Sequence, residues 1–271
     1  MKILLTNDDG IDAQGLNELA QILGKRHEVW IVAPLSNQSG TSSSIKMFKN
    51  LELQKRGPQK FALDGSPTDC VISGVLGNYT CEHFDAVISG INQGANLGTD
   101  LIYSGTCAAA RQAAIFSLPG IALSVESIVQ NGGILGQGNL LYKPLADFVS
   151  NNLENLVSLC KKNQFLNINA PSVEKFKGIK LCSLSSRDYG DRIEISSENS
   201  DSNENSLKNL KITENQTEKF YSSCVGGSLK YSGDENNDSL WVSKKFIALS
   251  LVDVYPQVHE ISENLISKMI L

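Results

Sequence analysis

Short, nearly continuous apolar runs alternate with amphipathic stretches through the first 125 residues. Residues 2–6 form one run, 28–33 a second closed by Pro34, and 84–89 and 120–125 two more. Between them, Leu16, Leu19, Ala20 and Leu23 recur at helical spacing over 15–23, and 107–116 is rich in alanine, a strong helix former. Buried strands separated by helices predict parallel βαβ units with both sheet faces covered. Leu145, Phe148, Val149, Leu153, Leu156 and Val157 predict an amphipathic helix over 144–159, followed by a strand at 165–168.

Beyond Pro171 the texture changes. Over 196–217 every residue except Leu207, Leu210 and Ile212 is polar, a composition that supports no core and reads as a loop or arm. The flanking runs 179–184 and 246–254 alternate as antiparallel strands do. Ile261, Leu265, Ile266, Met269 and Ile270 predict a helix over 258–271. No internal repeat is visible.

Composition narrows the chemistry. The 24 basic and 29 acidic residues give a net charge of −5, which argues against a binder of nucleic-acid polymers but leaves room for a local anion site. The only histidines are His27, His83 and His259, without H-E-x-x-H, and the six cysteines form no C-x-x-C. Any metal is therefore expected on oxygen ligands. The first apolar run is too short for a signal peptide and ends in acids, and no stretch approaches the ~20 apolar residues needed to cross a bilayer. The expectation is a cytoplasmic protein with no membrane partner.

Each strand-like run in the first half leads into an unusual polar loop, where ligands of open parallel sheets collect. The first ends in Asn7-Asp8-Asp9-Gly10. Adjacent carboxylates repel unless a proton or a cation relieves them, and Mg²⁺ suits one or two carboxylates with water and phosphate oxygens. A plain turn explains the same residues equally well. The second run leads to Gln38-Ser39-Gly40, with no lysine of a Walker loop; Ser39 offers a neutral oxygen, or the loop is simply solvated. The run through Val87 leads into Ser89-Gly90-Ile91-Asn92-Gln93-Gly94-Ala95-Asn96, which is no dinucleotide fingerprint. Tyr103-Ser104-Gly105-Thr106 then precedes the alanine-rich helix, whose start suits an anion or an ordinary cap. A cation and a phosphate side by side would satisfy all of these loops together.

These segments, with Gly65-Ser66-Pro67-Thr68-Asp69-Cys70 and Leu166-Asn167-Ile168-Asn169-Ala170-Pro171, resemble the motifs of the SurE family, the survival-protein nucleotidases. The likeness is dense through Val125 and weakens from about Gly178. It implies an α/β fold: a Rossmann-like, three-layer parallel-sheet core over 1–177, and an extended β-arm and C-terminal exchange segment over 178–271. It implies one divalent cation, Mg²⁺ or Mn²⁺, held by Asp8, Asp9, Ser39 and Asn92, and phosphate-facing groups at Asn96, Ser104, Gly105 and Thr106. It further implies hydrolysis of nucleoside monophosphates by a homodimer or homotetramer that exchanges C-terminal segments. The chain departs from the family near its end, where Asn237-Asp238 stands for the usual T-D and Ala248-Leu249-Ser250-Leu251 lacks the usual proline.

On this reading a cation on Asp8 and Asp9 activates water for direct attack on phosphorus, and either acid accepts its proton. An aspartyl-phosphate route stays open, since carboxylates can be nucleophiles, although the D-x-D-x-[TV] pattern of aspartate-nucleophile phosphatases is absent. The choice between 5′ and 3′ phosphates, and activity on short polyphosphates, stay open. So do two other classes, a non-catalytic metal-stabilised nucleotide binder and a sugar-nucleotide transferase. Arg111 lies a turn into the helix, where it could reach a phosphate, and Arg187 and Arg192 could contact a ligand or a neighbour, but all three read first as surface ion pairs or solvated charges; Cys107, although at a helix start, reads as a small packing residue.

Overall fold

The computed structural model describes residues 1–46, 49–126, 140–197, 220–226 and 229–256. In chain order its elements are β1 (Lys2–Thr6), α1 (Gln14–Leu23), β2 (Glu28–Pro34), β3 (Leu53–Gly57), β4 (Lys60–Leu63), α2 (Pro67–Leu76), β5 (Ala86–Gln93), a 3-10 turn (Gly98–Ile102), α3 (Gly105–Ile115), β6 (Gly120–Glu126), α4 (Lys143–Leu159), β7 (Gln164–Pro171), β8 (Ile179–Leu181), β9 (Ser186–Asp188), β10 (Arg192–Ser197), β11 (Phe220–Val225), β12 (Lys230–Ser232), α5 (Asp238–Ser243) and β13 (Ile247–Asp253).

The apolar runs become adjacent strands because each can be buried on both faces. Ile3 and Leu5 of β1 enter a cluster with α1 and α4, whereas Leu4 between them enters a second cluster with α2 and α3. Alternation with a period of two thus serves two helical layers around one sheet. The sheet has nine strands in the order β3-β4-β2-β1-β5-β6-β7-β13-β8. From β4 through β7 neighbouring strands run parallel. The chain moves outward from β1 through β2 to β4, then returns to the other side of β1 at β5. The carboxyl ends of β1 and β5 therefore flank the switch point, where open α/β sheets bind ligands.

Several elements differ from the sequence-based expectation. The strand expected over 84–89 begins at Ala86 and runs on to Gln93, so Ser89-Gly90-Ile91-Asn92 belongs to it. The hairpin β3–β4 and helix α2 had no counterpart in the apolar pattern. Ser66 caps α2 in a reciprocal box with Asp69, with Pro67 in the first turn, which accounts for Gly65-Ser66-Pro67-Thr68-Asp69-Cys70. β13 pairs antiparallel with β7, as its alternation predicts, whereas β8 pairs parallel with β13. Both complete the main sheet from positions beyond residue 177. The polar stretch 196–217, from residue 198 on, and the helix predicted at 258–271 lie outside the described residues. Among the described residues no helix is long and apolar enough to cross a membrane.

Candidate active site

The end of β1 is shaped by its own side chains. Asn7 closes the turn, donating from Nδ2 to the Gly10 carbonyl (2.8 Å) and accepting the Gly10 N–H on Oδ1 (3.2 Å). Asn7 thus builds the turn, and the two acids beside it are left for other work. Asp8 is 3 % exposed. Its Oδ1 accepts the Thr106 hydroxyl at 2.6 Å, and the backbone N–H groups of Gly105 and Thr106 also favour its charged form. Burial outweighs these contacts and raises its pKa above the ordinary carboxylate value. Asp9 is half-buried and accepts the Gln93 N–H on Oδ2 at 3.1 Å. Its pKa is pushed up to about 6, chiefly by burial and in part by the charge of Asp8.

The first turn of α3 therefore points at a protein carboxylate. Its N–H groups are shared between Asp8 and the side chain of Ser104, which accepts from the Cys107 N–H at 3.0 Å. Gly105 permits the approach, since a Cβ there would sit 2.9 Å from Asp8 Cβ and 3.0 Å from Pro67 Cγ. Thr106 is fully buried, and its single hydroxyl proton is committed to Asp8. Gly105 and Thr106 thus support Asp8 from behind.

Asp8, Ser39, Asn92, Asn96 and Ser104 line one open cavity of about 280 Å³. Asn92 sits in β5 and donates from Nδ2 to the Gly94 carbonyl at 2.8 Å, which leaves its Oδ1 as the available ligand atom. Ser39 lies exposed in the loop after β2, its N–H held by Asn37 Oδ1 at 2.8 Å. Asn96 is held from below. Its N–H donates to Asn169 Oδ1 (2.8 Å), its carbonyl accepts from Asn167 Nδ2 (2.9 Å), and its Nδ2 donates to Ser124 Oγ (2.8 Å). Asn167 and Asn169 of β7 thereby position the loop after β5.

These donors suit a hard divalent cation. Asp8 and Asp9 are partly or wholly buried with raised pKa values, and among the described residues neither forms an ion pair. Two carboxylate oxygens with an amide and a hydroxyl oxygen form the oxygen-only set that Mg²⁺ or Mn²⁺ favours. Burial raises the Cys107 thiol to about 12, consistent with a packing role. Arg192 forms an exposed pair with Glu194, as expected. Arg187 does not stay on the surface. Its side chain is 6 % exposed and binds Asp100 Oδ2 (2.7 Å) and Glu126 Oε1 (3.2 Å), drawing β9 against the 3-10 turn. Tyr189, next along, donates its hydroxyl to Asp100 Oδ2 at 2.8 Å and lines the same cavity, as does Tyr103. The sequence offered Arg187 only as a surface charge and Tyr189 not at all, because their partner lies far back in the chain.

A family model described as "Survival protein SurE" matches residues 3–191. The chain belongs to the SurE family. Its relatives include proteins named 5′-nucleotidase SurE from Campylobacter jejuni strain 81-176, 40 % identical over 194 residues covering 69 % of this chain and 73 % of that one. Another, from Clostridium botulinum strain Kyoto, is 38 % identical over 199 residues, covering 71 % and 76 %. The fold resembles a crystal structure of SurE protein from Aquifex aeolicus with a TM-score of 0.76, 26 % identity and 95 % of each chain covered. The SurE match includes every residue lining the cavity, from Asp8 to Tyr189, and stops before β10.

Proposed function

We propose that this SurE-family chain is a divalent-cation-dependent phosphomonoesterase that hydrolyses nucleoside monophosphates, the 5′-phosphates foremost, to nucleoside and phosphate. The observation that carries the reading is the pair Asp8 and Asp9 at the switch point, with raised pKa values and, among the described residues, no ion-pair partner. Asp8, Asp9, Asn92 Oδ1 and Ser39 Oγ would hold the cation. When bound, it supplies positive charge to the phosphoryl oxygens and lowers the pKa of water. Asp9, the more accessible acid, accepts the proton of the attacking water. The Ser104 hydroxyl and the Asn96 amide orient the phosphoryl group from the cavity wall. Thr106 and Gly105 act through Asp8, which they hold in place.

We assign subunit assembly to the parts of 178–271 outside the main sheet, and expect a homodimer or homotetramer in the cytoplasm. Light scattering of the full chain checks the assembly. The activity is tested by phosphate release from mononucleotides with Mg²⁺, Mn²⁺ or neither. Asp8→Asn and Asp9→Asn are expected to abolish release while the far-UV spectrum is kept, and chelator to do so reversibly. Full activity in chelator overturns the reading.

A further inference from the structure

The cavity that holds Asp8 and Asn92 is polar at its floor and aromatic at its rim. Tyr103 is 67 % exposed, although its neighbours are firmly fixed. Ser42 donates from its N–H to the Tyr103 carbonyl (3.1 Å) and from its hydroxyl to the Ile102 carbonyl (2.7 Å). The Tyr103 ring is thus held out in water on a pinned backbone, and among the described residues its hydroxyl has no hydrogen-bond partner. Tyr189, 38 % exposed, is anchored at its hydroxyl by Asp100 and beside its ring by the Arg187 guanidinium, 5.4 Å from the centroid. One exposed tyrosine is ordinary; two rings on rigid supports, lining the same cavity as Asp8, form a built surface.

We propose that Tyr103 and Tyr189 form a stacking platform for the base of the nucleotide, a reading that rests on the nucleotidase function above. Aromatic faces stack any base, because every base has a π-face, and the interaction carries little base identity. The rim therefore selects sugar phosphomonoesters that carry a planar base over those of bare sugars, while tolerating the choice of base. Ser104, one residue from Tyr103, keeps the phosphate end in register with the rim.

The test compares a nucleoside 5′-monophosphate with ribose 5-phosphate, which shares the ester and the sugar and lacks the base. In Tyr103→Ala and Tyr189→Ala the ratio of kcat/KM for the nucleotide over ribose 5-phosphate is expected to fall about ten-fold, the size of a lost base–aromatic stack. Tyr103→Phe is expected to keep the wild-type ratio, since the ring remains and its hydroxyl anchors nothing among the described residues. A ratio unchanged in both alanine variants overturns the proposal, as does a phenylalanine variant that loses it as fully as alanine. If the wild-type chain hydrolyses neither compound, the nucleotidase reading fails and the rim is judged by calorimetric binding. Weaker binding of AMP, but not of inorganic phosphate, in the alanine variants then supports the platform, and equal binding of AMP removes it.

Discussion

Thr106 donates its hydroxyl to Asp8 Oδ1 at 2.6 Å, tying the first turn of α3 to the acid at the end of β1. The bond opposes the burial that favours a neutral Asp8. Thr106→Val keeps the shape and deletes the donor. Mn²⁺ affinity is expected to fall roughly ten-fold or more, as when a partner orienting a ligand is removed. Thr106→Ser should retain most of it. Calorimetric titration gives the answer, and an unchanged affinity in the valine variant would show that Asp8 needs no such support.

Gly105→Ala places a methyl group against Asp8 Cβ and Pro67 Cγ, at 2.9 and 3.0 Å. Neither neighbour is the far end of a flexible chain. The expected loss is about 1–3 kcal/mol, the usual range for overpacking a dense site. A urea titration measures it, and a variant as stable as the wild type would mean that α3 retreats freely from β1.

Asp9 makes the cation-free site sensitive to pH. Its pKa rises from 3.8 to about 6 on folding, so between these values the folded chain holds a proton that the unfolded chain has released. This contribution to stability is complete below the unfolded value and is lost as pH rises through about 6. A cation competes with the same proton, so the rise in Tm on adding Mg²⁺ should be larger near neutral pH than well below 6. Thermal melts with and without Mg²⁺ at both conditions decide the matter, and equal shifts would contradict it.

Arg187→Met removes the cation shared by Asp100 and Glu126 and leaves two partly buried carboxylates facing each other. Breaking a buried pair in this way costs about 3–5 kcal/mol. Burial already raises the pKa of Glu126, so the loss should shrink as pH falls and Glu126 protonates. Arg187→Lys restores less than the full stability, because one ammonium cannot span both acids as the guanidinium fork does. Chemical unfolding of both variants across pH measures these differences.

How much was legible depended on whether a signal was local. β1, β2 and β6 announced themselves as apolar runs because both their faces are buried. β3 did not, since it is an exposed edge strand whose sequence Leu-Gln-Lys-Arg-Gly carries no apolar pattern. α2 was hidden because residues on several of its sides are buried, which erases the helical stripe, although its capping box was present in the sequence. Asp8, Ser39, Asn92, Asn96 and Ser104 were legible as polar loops after strands, and the structure gathers them around one cavity. Thr106 was legible as a residue but not by its partner, since a helix start can serve any anion, and only the fold brings Asp8 to it. Arg187 was illegible for a similar reason: Asp100 and Glu126 lie 87 and 61 positions away.

The insertion of β13 between β7 and β8 sets an order of events during synthesis. Every residue that lines the cavity floor is translated within the first 104 positions, whereas the strand that covers the outer edge of β7 is complete only at Asp253. From the synthesis of Pro171 until that of Asp253 the nascent chain therefore carries β7 as an open edge with unpaired backbone groups. Such an edge can recruit foreign strands. The interval between those two points is when this protein is most exposed to misassembly on the ribosome.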